Sequence, residues 1–140
     1  MTVRKKFDRS LFLECDQKAR KATIAHLENS GHVVEHNPDK YAQDLIAKKN
    51  EYTFYAECEM KLIWQGKTFP YPTVHLPERK KKFFGSPTKF YIWNADTSYG
   101  VSFWSHDIQM IEPVEVPNKY VYKGEMFFPV PLSCVEEVEL

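Results

Sequence analysis

The sequence predicts an α/β or α+β fold in which helices flank a central mixed β-sheet. One long segment near the N-terminus repeats its apolar residues with a helical period, and several later segments have the alternating or aromatic-rich character of β-strands. The chain has 140 residues, of which 43% are hydrophobic and 15% aromatic, so it can bury a core of its own. We therefore expect one domain over residues 1–140, with its core at residues 10–104 and an irregular C-terminal extension at residues 105–140.

The first element is a helix that runs from about Ser10 to about Asn29. Ser10 can cap its N-terminus, and Ser30-Gly31 ends it because glycine tolerates the left-handed conformation that follows many helices. Apolar residues repeat at spacings of three and four along one face, at Phe12, Cys15, Ala19 and Ala22, and Ile24 and Leu27 extend this face.

Three strands are expected after this helix. Val33-Val34 indicates a short strand, which a turn at Asn37-Pro38-Asp39 ends. Residues 41–48 and 52–63 are predicted to be two further strands, joined by a tight connection near Lys49-Asn50.

A second short helix and two more strands complete the expected core. Residues 68–77 contain three prolines and predict a loop or an irregular extended segment, and residues 78–84 predict the helix. Residues 89–93 and 99–104 predict strands on either side of a turn. Four further prolines follow, so residues 105–140 should wrap the domain as loops and edge strands.

Charge and cysteine usage restrict the partners and the compartment. Nineteen basic residues balance nineteen acidic ones, so a nucleic-acid partner has to be held by a local patch. No apolar run approaches the length of a membrane span, and residues 1–8 contain no apolar signal core. The three cysteines form no C-x-x-C pair and the five histidines no H-E-x-x-H motif, which disfavours disulfides and zinc. We expect a cytoplasmic protein without a membrane partner, and a homodimer is left open.

The strand at residues 52–63 carries the strongest indication of chemistry. Side chains alternate between the two faces of a strand, so one face here is wholly apolar. The other face carries Thr53, Tyr55, Glu57, Glu59 and Lys61. Two carboxylates and an ammonium thus project side by side, about 7 Å apart. The simpler interpretation is an amphipathic strand whose polar face is only solvated.

Asp44 lies before the apolar run Leu45-Ile46-Ala47, a setting in which an aspartate is unfavourable in a strand. If the connection to the next strand has an even number of residues, cross-strand partners sum to an odd number, and Asp44 faces Tyr55 or Glu57. Carboxylates that converge in this way need raised pKa values or a cation. Their hard oxygen atoms suit Mg²⁺ or Mn²⁺.

Asp44-Leu-Ile-Ala, a turn, and an aromatic-rich strand ending in Glu-x-Glu-x-Lys resemble the PD-(D/E)XK nuclease superfamily. The nearest resemblance is to minimal members such as archaeal Holliday-junction resolvases and small phage or mobile-element nucleases. The predicted helix–strand–strand–strand–helix–strand order over residues 10–104 also resembles the restriction-endonuclease-like core of this superfamily. The resemblance implies a Mg²⁺- or Mn²⁺-dependent endonuclease, a hydrolase that cleaves the phosphodiester bonds of DNA.

The motif can be placed in two registers, both of which implicate Asp44 and Glu59. In one, Asp44, Glu57 and Glu59 hold the metal; in the other, the triad is Asp44, Glu59 and Lys61. Lys61 would then orient the attacking water or stabilise charge on the phosphate oxygens. The literal pair Pro38-Asp39 precedes the apolar strand and resembles a turn, so Asp44 is preferred.

A run of four cations follows in the predicted short helix, at Arg79, Lys80, Lys81 and Lys82. As a helix they fan around most of the circumference, and a solvated helix is the simpler interpretation. In the superfamily the helix after the motif strand meets the substrate backbone, which implies that these residues neutralise DNA phosphates. Lys80 or Lys81 could also supply the cation of the site if Glu59 occupies the usual lysine position.

Two rival functions are left open. One is a catalytically inactive nuclease-fold protein that binds nucleic acid or a protein partner, and the other is a structural or assembly protein. Aromatic residues between Trp64 and Trp104 can stack on unpaired bases, but packing in the core is the simpler interpretation. Glu14, Asp16 or Lys18 of the first helix could approach the site.

Overall fold

A computed structural model describes residues 8–117 and 124–140. Residues 1–7, where the sequence lacks an apolar signal core, lie outside the described residues, as do residues 118–123 of the expected extension. The helices and strands in chain order are α1 (Arg9–Asn29), β1 (Val33–His36), β2 (Leu45–Lys49), β3 (Tyr52–Met60), β4 (Thr73–Pro77), the 3₁₀-helix η1 (Glu78–Phe83), β5 (Thr88–Trp93), β6 (Tyr99–Trp104), a 3₁₀ turn (Ser105–Asp107), β7 (Val114–Val116), β8 (Glu125–Pro131), a 3₁₀ turn (Leu132–Cys134) and β9 (Glu136–Glu139).

The predicted first helix is confirmed, but its cap is not Ser10. Asp8 caps α1, because its side chain accepts a 3.0 Å hydrogen bond from the backbone N–H of Leu11. Gly31 follows the helix with φ of 86°, the left-handed conformation that the sequence predicts there. The buried face is made of small side chains, which let the helix lie close against the sheet: Ala19, Ala22, Thr23 and Leu27.

The described strands form a six-stranded mixed sheet and a three-stranded antiparallel sheet. The larger sheet has the order β1-β2-β3-β5-β6-β9, in which β3 and β5 are parallel and all other neighbours are antiparallel. The smaller sheet has the order β4-β8-β7. The parallel pair requires a crossover, and the chain makes it through β4 and η1. The expected α+β class with a central mixed sheet is confirmed.

The hairpin of β2 and β3 has the parity that the sequence argument assumed. Leu45 pairs with Ala56 and Ile46 with Tyr55, so partner numbers sum to 101. The connection has two residues, and Asn50 adopts φ of 57°, as tight hairpins require at such a position. Extending the register by one residue sets Asp44 opposite Glu57.

Several predicted boundaries are wrong. β2 begins at residue 45 instead of 41, because Asp39 instead accepts hydrogen bonds from the N–H groups of Tyr41 and Ala42 in a turn. β3 ends at residue 60 instead of 63. The expected loop at residues 68–77 contains β4, whose single proline, Pro77, is tolerated because β4 is an edge strand.

The second predicted helix and the extension also differ from expectation. Residues 78–83 form a 3₁₀-helix, since the segment is short, lacks a side-chain cap and carries like charges on successive turns. The extension at residues 105–140 contains β7, β8 and β9. Pro129 and Pro131 are accommodated in β8 because β7 pairs only with residues 125–127, leaving that part of β8 with one neighbour.

Two hydrophobic clusters lie on opposite faces of the larger sheet. One lies under α1 and includes Phe54, Tyr91 and Trp93; the indole N–H of Trp93 donates a 2.9 Å hydrogen bond to Thr23 of α1. The other lies between the two sheets and includes Phe90 and Phe103. The layers are therefore helix, larger sheet and smaller sheet. Among the described residues, no helix has the length and apolar character needed to cross a membrane.

Candidate active site

The predicted acidic residues meet where β3 extends past its neighbour β2. β2 begins opposite Ala56, so residues 57–60 of β3 have no partner on that side. A cavity of about 300 Å³ lies at this point, between α1 on one side and β4 with η1 on the other. The charged side chains that line it are Asp16, Arg20, Asp44, Glu57, Glu59, Arg79 and Lys80.

Asp44 is held on both of its carboxylate oxygens. Arg20 of α1 donates from Nη2 to Asp44 Oδ1 at 2.6 Å and from Nη1 to the Asp44 backbone carbonyl at 3.3 Å. The backbone N–H of Cys58 donates to Asp44 Oδ2 at 3.0 Å. The Asp44 carboxylate therefore accepts the Cys58 N–H, which would bond to a backbone carbonyl if β2 continued beside β3. Backbone pairing of β2 with β3 ends here, and Asp44 is held next to the residues of β3 that extend past β2.

Glu57 is the most buried acid of the cavity, with its side chain 7% exposed. Its Oε2 accepts a 3.0 Å hydrogen bond from the backbone N–H of Asp44, and its Oε1 accepts one of 2.5 Å from Lys80 Nζ. Burial and then the charge of Asp44 raise the pKa of Glu57, Lys80 lowers it, and the net result is a pKa of about 7. Glu57 can thus exchange a proton near neutral pH or bind a cation.

Glu59 and Lys61 lie farther from the paired acids Asp44 and Glu57, toward the C-terminal end of β3. Glu59 lines the cavity, but its side chain is 46% exposed, and its Oε1 lies 3.8 Å from Lys61 Nζ. Lys61 follows the last residue of β3, and its backbone N–H donates to the carbonyl of Trp93. The structure therefore brings Asp44 and Glu57 together, leaves Glu59 at the rim, and places Lys61 beyond the residues that line the cavity.

The four consecutive cations divide between the cavity and solvent. In a 3₁₀-helix residues three apart lie on one side, so Lys80 shares the inward side with buried Phe83. Arg79 lines the mouth of the cavity, is 69% exposed and lies 3.5 Å from Glu125 Oε2. Lys81 and Lys82 are exposed. The predicted fan of charges is confirmed, and one member of it, Lys80, reaches the acidic pair.

Sequence reasoning missed Arg20. Its Nε donates a 2.9 Å hydrogen bond to Asp16 one helical turn earlier, and the two residues together present a fixed guanidinium to Asp44. Burial lowers the pKa of Arg20, but the carboxylates of Asp44 and Asp16 outweigh burial and raise it overall. An Asp-x-x-x-Arg spacing beside the buried face of α1 was the available signal.

The other candidates on α1 and the aromatic residues have ordinary structural positions. Glu14 and Lys18 form an exposed ion pair of 3.1 Å on the outer side of α1. Packing in the core, the simpler interpretation, is confirmed for Trp64, Phe90, Tyr91, Trp93, Tyr99 and Phe103. Phe69 and Trp104 are only half-buried, and Tyr71 is exposed.

The carboxylate oxygens of Asp44, Glu57 and Glu59 are the type of ligand that a hard divalent cation prefers, but each of these side chains already contacts a basic group. Within residues 8–117 and 124–140, no three His, Cys, Asp or Glu side chains gather closely enough to form a ready metal-binding group. Mg²⁺ in phosphoryl-transfer sites uses one or two protein carboxylates and takes its remaining ligands from water and phosphate. Asp44 and Glu57 can supply such a pair if a basic side chain gives way.

Comparison with known proteins gave no significant similarity to any protein-family model, curated protein or solved structure. A function can therefore be inferred only from the geometry of this chain's own residues.

Proposed function

We propose that the chain is a divalent-metal-dependent endonuclease of the PD-(D/E)XK type that hydrolyses phosphodiester bonds of DNA. The observation that carries this proposal is the pairing of Asp44, directly before β2, with buried Glu57 of β3 at a cavity between two layers. A buried carboxyl group beside a second carboxylate is unfavourable unless a cation compensates it. A functional role explains why the fold maintains the pair.

The strand order supports a restriction-endonuclease-like core. α1 precedes an antiparallel run of β1, β2 and β3, and β5 then pairs in parallel with β3. This is the order that the resemblance implies, with β4 and η1 in place of the second helix. The candidate acids also lie on the two elements that the motif requires, the start of β2 and the middle of β3.

Asp44 and Glu57 are the residues that would hold Mg²⁺ or Mn²⁺, with Glu59 at the rim as a further oxygen ligand. The metal, when bound, supplies positive charge that polarises a phosphate and lowers the pKa of a coordinated water. Arg20 keeps Asp44 oriented, because its guanidinium is fixed in turn by Asp16.

The geometry favours the register Asp44, Glu57 and Glu59, with Lys80 in the role that Lys61 has in the other register. Lys80 Nζ contacts Glu57, whereas Lys61 lies beyond the residues that line the cavity. Lys80 can therefore stabilise charge on a phosphate oxygen at the site. Arg79, Lys81 and Lys82 are placed on an exposed 3₁₀-helix next to the mouth, where they can neutralise neighbouring phosphates.

Glu57→Gln tests the proposal, because it keeps size and hydrogen bonding while removing the charge that a divalent cation needs. We expect wild type to cut duplex, single-stranded or branched DNA with Mg²⁺ or Mn²⁺, and Glu57→Gln to lose cleavage by roughly 100-fold or more. Glu14→Gln is the matched control, since Glu14 is exposed on the outer side of α1. Equal cleavage by wild type and Glu57→Gln would contradict the proposal.

The second candidate is a catalytically inactive relative that binds nucleic acid. It is favoured by one observation: Arg20 and Lys80 already neutralise the two central carboxylates. Wild type that binds DNA but cuts none of these substrates with either metal would make it the better proposal. DNA as substrate, a homodimer and a cytoplasmic location stay predictions.

A further inference from the structure

We propose that Lys80 occupies the cation position of the acidic pair in the metal-free protein, and that a divalent ion displaces it toward the phosphate of bound DNA. This inference rests on the proposed function. It adds a competition between the protein's own ammonium group and the metal for one oxygen of Glu57.

The two oxygens of Glu57 have different partners, and this difference defines the position. Oε2 is bound by the backbone N–H of Asp44, which cannot move without disrupting the start of β2. Oε1 is bound by the side chain of Lys80. Oε1 is the Glu57 oxygen whose partner is a movable side chain, so a metal ion shared with Asp44 reaches Glu57 there with the least disruption of the backbone. At that oxygen an ammonium and a divalent cation repel each other strongly at contact distance.

Lys80 is the cation that can leave, because Arg20 is fixed more firmly. The Arg20 guanidinium contacts Asp44 Oδ1, the Asp44 carbonyl and Asp16, at 2.6, 3.3 and 2.9 Å. Lys80 Nζ contacts Glu57 and lies 5.7 Å from the centre of the Phe83 ring. Its side chain is 30% exposed and its four-carbon stem can rotate toward solvent.

The displaced ammonium of Lys80 can contact a phosphate at the mouth of the cavity. Lys80 precedes exposed Lys81 and follows Arg79, which lines the mouth. A phosphate that enters there meets these cations before it reaches Glu57. Once a divalent ion neutralises Glu57, the phosphate is the remaining anion for Lys80, so metal binding releases a cation that can then contact the substrate.

Calorimetric titration of Mg²⁺ into wild type and Lys80→Met tests this competition directly. Methionine keeps the apolar stem of Lys80 without its charge, and titrations repeated at several pH values up to about 9 separate competition by protons from competition by the ammonium. We expect Lys80→Met to bind Mg²⁺ more tightly, by roughly tenfold or more, because the competing ammonium is gone. Lys81→Met, one residue along the same 3₁₀-helix, should leave the affinity unchanged. Lys80→Met should nevertheless cleave DNA more slowly than wild type at saturating metal.

The outcomes separate this inference from the proposed function. Wild type that binds Mg²⁺ while Lys80→Met binds it equally or more weakly overturns the competition and leaves the nuclease proposal standing. Failure of both proteins to bind Mg²⁺ overturns both proposals. Thermal unfolding of each variant verifies that the compared proteins are folded.

Discussion

At the scale of single residues, Glu57 combines deep burial with two unlike partners, a backbone amide and a flexible ammonium. Burial raises its pKa to about 7, and Asp44 contributes in the same direction. In the unfolded chain a glutamate ionises near its ordinary pKa of 4.5. The folded state therefore binds more protons between these two values, so the free energy of unfolding falls as pH rises through them.

Glu57→Gln should abolish this pH dependence, since glutamine does not titrate. Relative to wild type, the variant should become more stable as pH rises from about 5 to about 8, by at most about 3 kcal/mol. Urea unfolding of both proteins in EDTA at several pH values measures the difference. A difference that stays constant over this range would show that the pKa of Glu57 is not raised.

The two registers of the motif are distinguished by lysine substitutions. Lys80→Ala should slow metal-dependent cleavage by about 100-fold or more, because Lys80 is the cation beside the acidic pair. Lys61→Ala should cost less than about tenfold, since Lys61 pairs with Glu59 at 3.8 Å outside the cavity lining. Single-turnover rates measure both effects, with exposed Lys18→Ala as the control. The reverse order of the two losses would favour the register of Glu59 and Lys61.

At the scale of elements, the hairpin of β2 and β3 was predictable because its register follows from local chemistry. Apolar alternation and a short connection at Asn50 determine which residues face each other, and this gave the pairing of Asp44 with the face of Glu57. The contribution of Arg20 was not predictable, because its contact with Asp44 spans 24 residues and depends on how α1 crosses the sheet.

The segment from β4 to η1 could not be predicted from the sequence, for a second reason. Three prolines in and just before β4 indicate a loop when only neighbours in sequence are considered, but all five residues of β4 pair with β8, fifty or more positions later. That long-range pairing holds the chain that continues into η1. The position of Lys80 therefore follows from tertiary pairing and not from any local preference.

The exposed side of η1 should bind DNA phosphates. Replacing Lys81 and Lys82 together by Ala should weaken DNA binding and reduce the slope of log affinity against log salt, by up to about 0.9 for each lost contact. Fluorescence anisotropy over a series of salt concentrations, without divalent metal, gives the slope. Lys18→Ala with Lys21→Ala on α1 is the matched pair, as both are exposed. If the two double variants have the same slope as wild type, η1 does not contact phosphate.

At the scale of the whole molecule, the site is assembled from all three layers. α1 supplies Arg20, the larger sheet supplies Glu57 and positions Asp44, and η1, which follows β4 of the smaller sheet, supplies Lys80. Because β8 of the C-terminal extension pairs with β4, elements as far apart in the chain as α1 and β8 take part in holding one cavity. The net charge of zero gives no general attraction to DNA, so the proposed DNA binding depends on this cavity and the adjacent cations.

The central claim is that Asp44 and Glu57 hold a divalent metal, and calorimetric titration of Mn²⁺ into wild type and Asp44→Asn tests it most directly. We predict saturable binding by wild type and an affinity lower by about tenfold or more in Asp44→Asn, which removes one of the two carboxylates while keeping the shape of the side chain. Thermal unfolding shows whether the variant retains the fold. Equal Mn²⁺ affinities of the two folded proteins, or no saturable binding by wild type, would contradict the metal site.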